Sequence, residues 1–123
     1  MQPSYSKVQD MSTKASTGLT YTDSICVRFK VGDLARIKSV AGQHDEWTSV
    51  WIRRIVVERA NKVIEKERVA KLRYTTAQGN GETLCIRFRP GEFAKAKKAS
   101  GMEDAKTLST WIRSIVELRL NRG

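Results

Sequence analysis

Two short stretches of the chain alternate strictly between apolar and other residues. In residues 25–30 and again in residues 84–89, every second side chain is apolar. Because successive side chains of a strand point to opposite faces, this alternation predicts two β-strands, each with one buried face. The predicted inward residues are Ile25, Val27, Phe29, Leu84, Ile86 and Phe88. The predicted outward residues are Cys26, Arg28, Lys30, Cys85, Arg87 and Arg89.

A helical period follows each predicted strand and indicates a short helix. Asp33 and Glu92 suit the first turn of these helices, where the helix dipole favours acidic residues. Pro90 is also predicted to lie in a first turn, since its missing N–H costs nothing there. Gly42 and Gly101 are predicted to end the helices. The apolar positions of the two faces are Leu34, Ile37, Val40, Ala41, Phe93, Ala96 and Ala99.

Stronger apolar stripes at helical spacing predict a longer helix after each short one. The first is predicted to continue as far as Lys71. The stripes are interpreted as core, the alternative for a tryptophan being base stacking. Their residues are Trp51, Ile52, Ile55, Val56, Trp111, Ile112, Ile115 and Val116. The candidate capping residues are Asp45, Thr48 and Ser49 in the first helix, and Thr107 and Ser109 in the second.

These elements belong to a unit that occurs twice. The run that begins at Cys26 recurs at Cys85, and after one inserted residue the match resumes, with Trp51 aligned to Trp111. Each copy is too small to bury a convincing core alone. We therefore expect one intertwined domain over 24–123, made of repeat one (24–70), a linker (71–83) and repeat two (84–123). Residues 1–23 are rich in polar residues and are predicted to be a disordered arm or the stub of a linker.

Composition narrows the class of partner. The chain has 123 residues and a formal net charge of +10, which favours a polyanionic partner. Neither a membrane-spanning stretch nor a secretory signal is evident in the sequence. One histidine, His44, and two distant cysteines cannot supply a zinc site, so no cofactor is expected. The sequence contains no catalytic triad and no phosphate-binding loop, so we do not expect the protein to be an enzyme.

Strand, short helix, turn and longer helix, repeated twice, resemble the ribbon-helix-helix family of DNA-binding proteins. The resemblance implies a mainly α fold in which the two strands form an antiparallel β-ribbon, a pseudo-dimer within one chain. In this family the ribbon enters the major groove, and the helices pack beneath it as a four-helix core. The chain departs from the family by one extra residue after Phe88. That departure leaves the outward orientation of Lys30 and Arg89 open.

The outward strand residues are the candidate base contacts. Arginine suits the two acceptors of guanine, and cysteine can touch a thymine methyl group. The alternative is a solvated sheet surface with charges against aggregation. With Arg28 opposite Arg87 at the centre of the ribbon, an internal disulfide would be geometrically excluded. The candidates are Cys26, Arg28, Lys30, Cys85, Arg87 and Arg89.

The starts of the longer helices are a second candidate contact region. Unpaired backbone N–H groups there bind phosphate, and the family uses this end to anchor the DNA backbone. The matching positions are Thr48, Ser49, Thr107 and Ser109, for which plain helix capping is the alternative. Lys38 and Lys97 are expected to add mainly general positive charge.

The resemblance leaves several roles open. Fused ribbon-helix-helix pairs are similar to accessory proteins of conjugative and agrobacterial T-DNA transfer, which would imply double-stranded DNA and a relaxase or other transfer proteins as partners. A transcriptional repressor is the alternative, and an RNA-binding or protein-interaction module is an alternative of a different class. An antitoxin is disfavoured because no toxin-binding tail follows Gly123. We expect a monomer in the bacterial cytoplasm.

Overall fold

The computed structural model describes residues 21–74 and 81–122. Within these ranges the chain forms a two-stranded antiparallel sheet and four helices. The elements are, in chain order, β1 (Asp23–Arg28), α1 (Asp33–Gln43), α2 (Thr48–Ile64), β2 (Thr83–Phe88), α3 (Glu92–Met102) and α4 (Leu108–Asn121). The predicted arm up to residue 20 and residues 75–80 of the predicted linker lie outside the described residues.

The sheet buries one face, as the alternation predicts. Val27 and Phe29, and Ile86 and Phe88, are fully buried, while Ile25 and Leu84 are partly buried. Apolar side chains lie opposite each other across the strands, with Ile25 paired to Ile86 and Val27 to Leu84. A two-stranded sheet is unstable alone in water, so this apolar layer needs the helices beneath it.

The helices beneath the sheet share one core. The prediction that the two apolar stripes are core residues is confirmed, because all eight are at most 4% exposed. Helix α2 contacts β2 and α3, and α4 contacts β1, so each long helix packs on the strand of the other repeat. The full burial of Trp51 and Trp111 contradicts the alternative of base stacking.

A hydrogen-bonded carboxylate joins the two repeats at the edge of this core. Glu103 accepts hydrogen bonds from Arg59 at 2.8 and 2.6 Å and from the indole N–H of Trp111 at 2.9 Å. Burial raises the pKa of Glu103, but the donors outweigh it and leave that pKa below its ordinary value. The network therefore fixes α2 against the turn that precedes α4.

The prediction that Pro90 lies in the first turn of a short helix is wrong. Pro90 lies before the helix, since α3 begins at Glu92 and Gly91 is its N-cap. Gly91 and its counterpart Gly32 have φ angles of 85° and 89°, which a side chain rarely tolerates. The left-handed glycine turns the chain from strand into helix, so the proline is confined to the turn. Asp33 and Glu92 do occupy the first helical turns, as predicted.

The ends of the short helices are also corrected. Gly42 and Gly101 lie inside α1 and α3 and do not end them. The left-handed residues are Asp45 and Asp104, with φ angles of 54° and 59°. An aspartate tolerates this conformation because its short polar side chain can bond locally. The next N–H, that of Glu46, donates to a carbonyl of the last helical turn at 2.9 Å, which closes the helix end.

Helix α2 is shorter than predicted, since it ends at Ile64 and not at Lys71. Lys66 is left-handed, with a φ of 61°, and the chain turns back at that point. The Arg59 guanidinium then donates to the carbonyl of Ala70 at 2.7 Å. The returning segment thus packs along α2 and does not extend it. None of the described helices combines the length and apolarity that crossing a bilayer requires.

Candidate nucleic-acid interface

The outer face of the sheet carries six exposed side chains. Four of them, Cys26, Arg28, Cys85 and Arg87, are among the predicted base contacts. Ser24 and Thr83 complete the face and were not predicted. Their signal was present in the sequence, because they lie two residues before the cysteines at equivalent positions of the two repeats. The face therefore holds the same three positions twice: a hydroxyl residue, a cysteine and an arginine.

The register of the sheet contradicts the predicted centre. Cys26 lies opposite Cys85, while Arg28 lies opposite Thr83 and Arg87 opposite Ser24. The expectation that Cys26 faces Arg89 and that Cys85 faces Lys30 is therefore wrong. Two arginines directly opposite each other would repel. The observed register avoids that repulsion, because each guanidinium has a hydroxyl residue across the ribbon.

The two cysteines form a disulfide, which contradicts the predicted exclusion of an internal bridge. Their Cα atoms are 3.9 Å apart. The Phe29 N–H donates a ladder hydrogen bond to the Glu82 carbonyl at 2.8 Å, so this inward pair is a hydrogen-bonded one. In the alternating pattern the outward pairs are therefore the closely spaced, non-hydrogen-bonded ones. The bridge consequently lies at the centre of the exposed face, with Arg28 and Arg87 on either side.

Lys30 and Arg89 lie beyond the ends of the strands and are half-buried. Arg89 lines a concave surface beside α2 together with Arg53 and Glu92, and its backbone N–H donates to Glu92 at 2.8 Å. Lys30 is close enough to Glu117 to lower the pKa of that carboxyl. The structure thus does not bring Lys30 and Arg89 to the outer face of the sheet.

A cationic cluster lies at the side of the sheet next to α2. The guanidinium of Arg53 is 5.1 Å from the centre of the Tyr21 ring. A hydrogen bond with Arg53 lowers the pKa of the Tyr21 hydroxyl, although burial opposes it and Arg89 adds to it. Tyr21, Ser49, Arg53 and Arg87 line one concavity of the surface. The start of α2 is therefore adjacent to the arginine at this end of the outer face.

Arg113 of α4 is the equivalent of Arg53 and is hydrogen-bonded to strand β1. Arg113 is 5% exposed and donates to the carbonyl of Arg28 at 2.9 Å and to the Thr110 hydroxyl at 3.3 Å. Burial lowers the pKa of Arg113, and the nearby carboxylate of Glu117 acts in the opposite direction. This contact holds the first turn of α4 beside Arg28, so each long helix begins next to one arginine of the face.

The four predicted phosphate contacts lie at these two helix starts. Thr107 is the N-cap of α4 and accepts a hydrogen bond from the Thr110 N–H at 3.1 Å, so capping is its role in the structure. Thr48, Ser49 and Ser109 are half-buried residues of the first turns.

None of the three residues predicted to cap α2 does so, because its N-cap is Trp47, which makes no side-chain capping bond. Trp47 is 82% exposed. The sequence reasoning missed Trp47 because it lies outside the apolar stripe of the helix.

A pair of buried carboxyl groups lies at the α4 side of the sheet. Asp33 is 6% and Glu117 is 9% exposed. Burial, a hydrogen bond with Asp33 and the charge of Asp33 together raise the pKa of Glu117 to about 7, although the charges of Lys30 and Arg36 oppose the change. Glu117 was also missed. It lies within the apolar stripe of α4, where a charged residue is unexpected.

The remaining predicted cations are solvent-exposed side chains of the short helices. Lys38 on α1 and Lys97 on α3 are exposed, and the ammonium of Lys97 is 5.6 Å from the centre of the Phe93 ring. His44 is exposed in the turn after α1. Among the described residues no group of histidine, cysteine and acidic side chains has the arrangement of a metal site.

The outer face of the sheet thus presents two arginines that flank a disulfide between two helix starts. No protein-family model, curated protein or solved structure matches the chain.

Proposed function

We propose that the chain is a fused pair of ribbon-helix-helix units that binds double-stranded DNA by inserting its outer sheet face into the major groove. The observation that carries the proposal is the register of the sheet. Cys26 pairs with Cys85, its equivalent in the other repeat. In the other two outward pairs, the hydroxyl residue of one repeat lies opposite the arginine of the other repeat. A two-fold axis through the disulfide relates Arg28 to Arg87, and duplex DNA has the same local symmetry.

Chemistry supports this assignment of the face. A two-stranded ribbon fits the width of the major groove, where each base pair shows a distinct set of donors and acceptors. Arg28 and Arg87 supply cationic donors on either side of the axis, and Ser24 and Thr83 supply hydroxyls that donate or accept. The disulfide presents an apolar surface between them. A formal net charge of +10 adds attraction to phosphate in any sequence.

The helix starts support the same orientation of the duplex. Arg113 holds the first turn of α4 at Arg28, and Ser49 at the start of α2 shares a concavity with Arg87. A groove that holds both arginines would bring its two backbone strands past these helix starts. Backbone N–H groups there provide anchoring without sequence preference. Thr48, Ser49 and Ser109 are the residues we assign to this contact.

For the biological role, we propose an accessory factor of conjugative or T-DNA transfer, on the resemblance of the sequence to fused pairs of that kind. Its partners would be double-stranded DNA and a relaxase or another transfer protein. The free chain is proposed to be a monomer, because one chain supplies both strands of the ribbon.

The experiment is a selection from random duplexes, followed by binding titrations at several salt concentrations. Arg28→Ala or Arg87→Ala should weaken binding to the preferred duplex by about 1–3 kcal/mol and relax its sequence preference. The matched controls are Lys38→Ala and Lys97→Ala, exposed cations of the short helices. They should weaken all duplexes alike and only slightly.

The proposal fails if the wild-type protein shows no duplex preference or binds single strands or RNA better. A preference that survives both arginine substitutions would refute the assignment of the outer face.

A further inference from the structure

The two flanks of the outer sheet face are chemically different, although the face itself repeats the same three positions. The α2 flank consists of Tyr21, Trp47, Ser49, Arg53, Arg89 and Glu92. The α4 flank consists of Lys30, Asp33, Thr107, Arg113 and Glu117. In a single chain the two flanks can diverge, because a substitution changes one side only.

The first difference is an exposed aromatic ring. Trp47 is 82% exposed at the N-cap of α2, whereas Trp51 and Trp111 are fully buried. The equivalent position of the second repeat is Thr107, whose hydroxyl caps α4. Helix α2 therefore lacks the stabilisation that a capping side chain gives, and among the described contacts the indole ring provides nothing to the fold in its place.

The second difference is charge. The α2 flank holds Arg53 and Arg89 around the Tyr21 hydroxyl, while Glu46, the acid next to Trp47, is bonded to Arg54 at 2.8 and 3.1 Å. The α4 flank holds the buried carboxyl groups of Asp33 and Glu117 beside Lys30 and Arg113. The equivalents of Glu117 and Asp33 in the other flank are Val57 and Glu92, so at these two positions the α2 flank has one acid and the α4 flank has a buried pair.

We propose that Trp47 packs against the sugar–phosphate backbone at the α2 flank and thereby makes the contact on one side of the central base pairs stronger than the contact on the other side. The inference rests on the proposed function. Ser49 lies in the first turn of α2 and in the same concavity as Arg87, so a backbone strand beside Arg87 passes the start of α2. The indole covers the apolar edge of the deoxyribose, and the cations of this flank attract the adjoining phosphates.

The test uses a selected duplex whose central base pairs are not palindromic, so that the protein binds it in one orientation. The duplex is prepared in three forms: full length, and shortened on one side or on the other of the central base pairs. Affinity should fall about fivefold to tenfold when one particular side is shortened, and by less than twofold when the other side is shortened. Trp47→Thr, which installs the residue of the equivalent position, should weaken binding to the full duplex by a similar factor and remove the difference between the sides. Thr107→Trp should make both shortenings costly.

Iodide quenching identifies the side chain in contact. Since two of the three tryptophans are fully buried, the quenched fraction of the emission reports on Trp47. The full duplex and the duplex that keeps the Trp47 side should protect this fraction. The duplex that lacks that side should not. Circular dichroism of Trp47→Thr should match that of the wild type, because the ring lies outside the core.

Equal losses from both shortenings overturn the proposal, even where duplex binding itself is strong and sequence-dependent. Unchanged quenching on the full duplex overturns it as well. Protection that depends on protein concentration and not on flank length would assign Trp47 to contacts between copies of the protein, which also overturns it. Absence of any duplex binding would instead remove the proposed function, and this inference with it.

Discussion

The buried carboxyl pair at the α4 flank predicts that the protein loses stability as the pH rises through neutrality. In the folded chain the pKa of Glu117 is about 7, against an ordinary value of 4.5. Folding therefore favours the protonated acid, which donates to the carboxylate of Asp33. This contribution is complete below pH 4.5, where the unfolded chain is also protonated, and it is lost as the pH rises through about 7.

The difference between these two pKa values determines how much unfolding free energy is lost. One pH unit corresponds to about 1.4 kcal/mol, so the loss between pH 4.5 and pH 8 is about 3 kcal/mol. Lys30, Arg36 and Arg113 face the same pair, and the pKa of about 7 already includes the effects of Lys30 and Arg36, which stabilise the Glu117 carboxylate. A loss of this size is a large part of the stability of a small domain.

The assay is urea unfolding of the wild type, Glu117→Gln and Glu58→Gln between pH 5 and pH 8. Glu117→Gln keeps a neutral side chain that can donate to Asp33, so its unfolding free energy should vary much less with pH. It should exceed that of the wild type at pH 8. Glu58→Gln is the matched control, since Glu58 is an exposed helical glutamate that pairs with Arg54 and Arg119 and should leave the pH dependence intact. A wild type equally stable at pH 5 and pH 8, or a Glu117→Gln variant that retains the dependence, would refute the reasoning.

Two further predictions concern the ribbon and the core. Reduction of the Cys26–Cys85 disulfide should lower the unfolding free energy by about 2–4 kcal/mol, because the bridge closes a long loop of the unfolded chain. Urea unfolding with and without a thiol reductant measures this change. The control is Cys26→Ser, whose unfolding free energy should not depend on the reductant. Trp51→Ala and Trp111→Ala should each cost about 3–5 kcal/mol. Trp111→Ala should lie at the upper end because it also deprives half-buried Glu103 of a donor. Equal or smaller costs in thermal or urea unfolding would contradict this order.

The faces of the strands and helices were predictable because they depend on local periodicity. Val27 and Ile86 are buried and Arg28 and Arg87 are exposed, as a period of two requires. The register was not predictable in the same way. Sliding one strand past the other by an even number of residues keeps every side chain on its face, so the alternation does not distinguish a centre at the cysteines from other centres.

The helix boundaries show a different limit. Glycine is the usual left-handed residue at a helix end, yet Asp45 and Asp104 hold that conformation while Gly42 lies within α1. Two or three neighbouring residues can end a helix at similar energy, and packing of the following segment decides among them. The early end of α2 follows from the contact of Arg59 with Ala70, which links residues that no local pattern connects.

The candidate site also contains residues that were predictable from the sequence and residues that were not. The outward arginines follow from periodicity, whereas Glu117 and Trp47 become informative only when their surroundings are known. Glu117 is one charged residue in an apolar stripe, and its significance depends on Asp33, which lies far away in the sequence. Trp47 lies at a helix start where a capping residue is usual, and its exposure depends on the fold.

The distribution of differences between the two repeats bears on how such a chain would use DNA. At the centre of the outer face the pairs are identical or nearly so: cysteine with cysteine, arginine with arginine, Ser24 with Thr83. At the flanks they diverge, with Trp47 against Thr107 and Val57 against Glu117. A symmetric centre suits the palindromic part of a duplex, where both halves make the same contacts. Unequal flanks suit an oriented site, which a homodimer cannot distinguish because every substitution in it occurs twice. The proposed fusion therefore permits unequal halves: the ribbon would select the site, and the flanks would contact the two sides of the site with different strength.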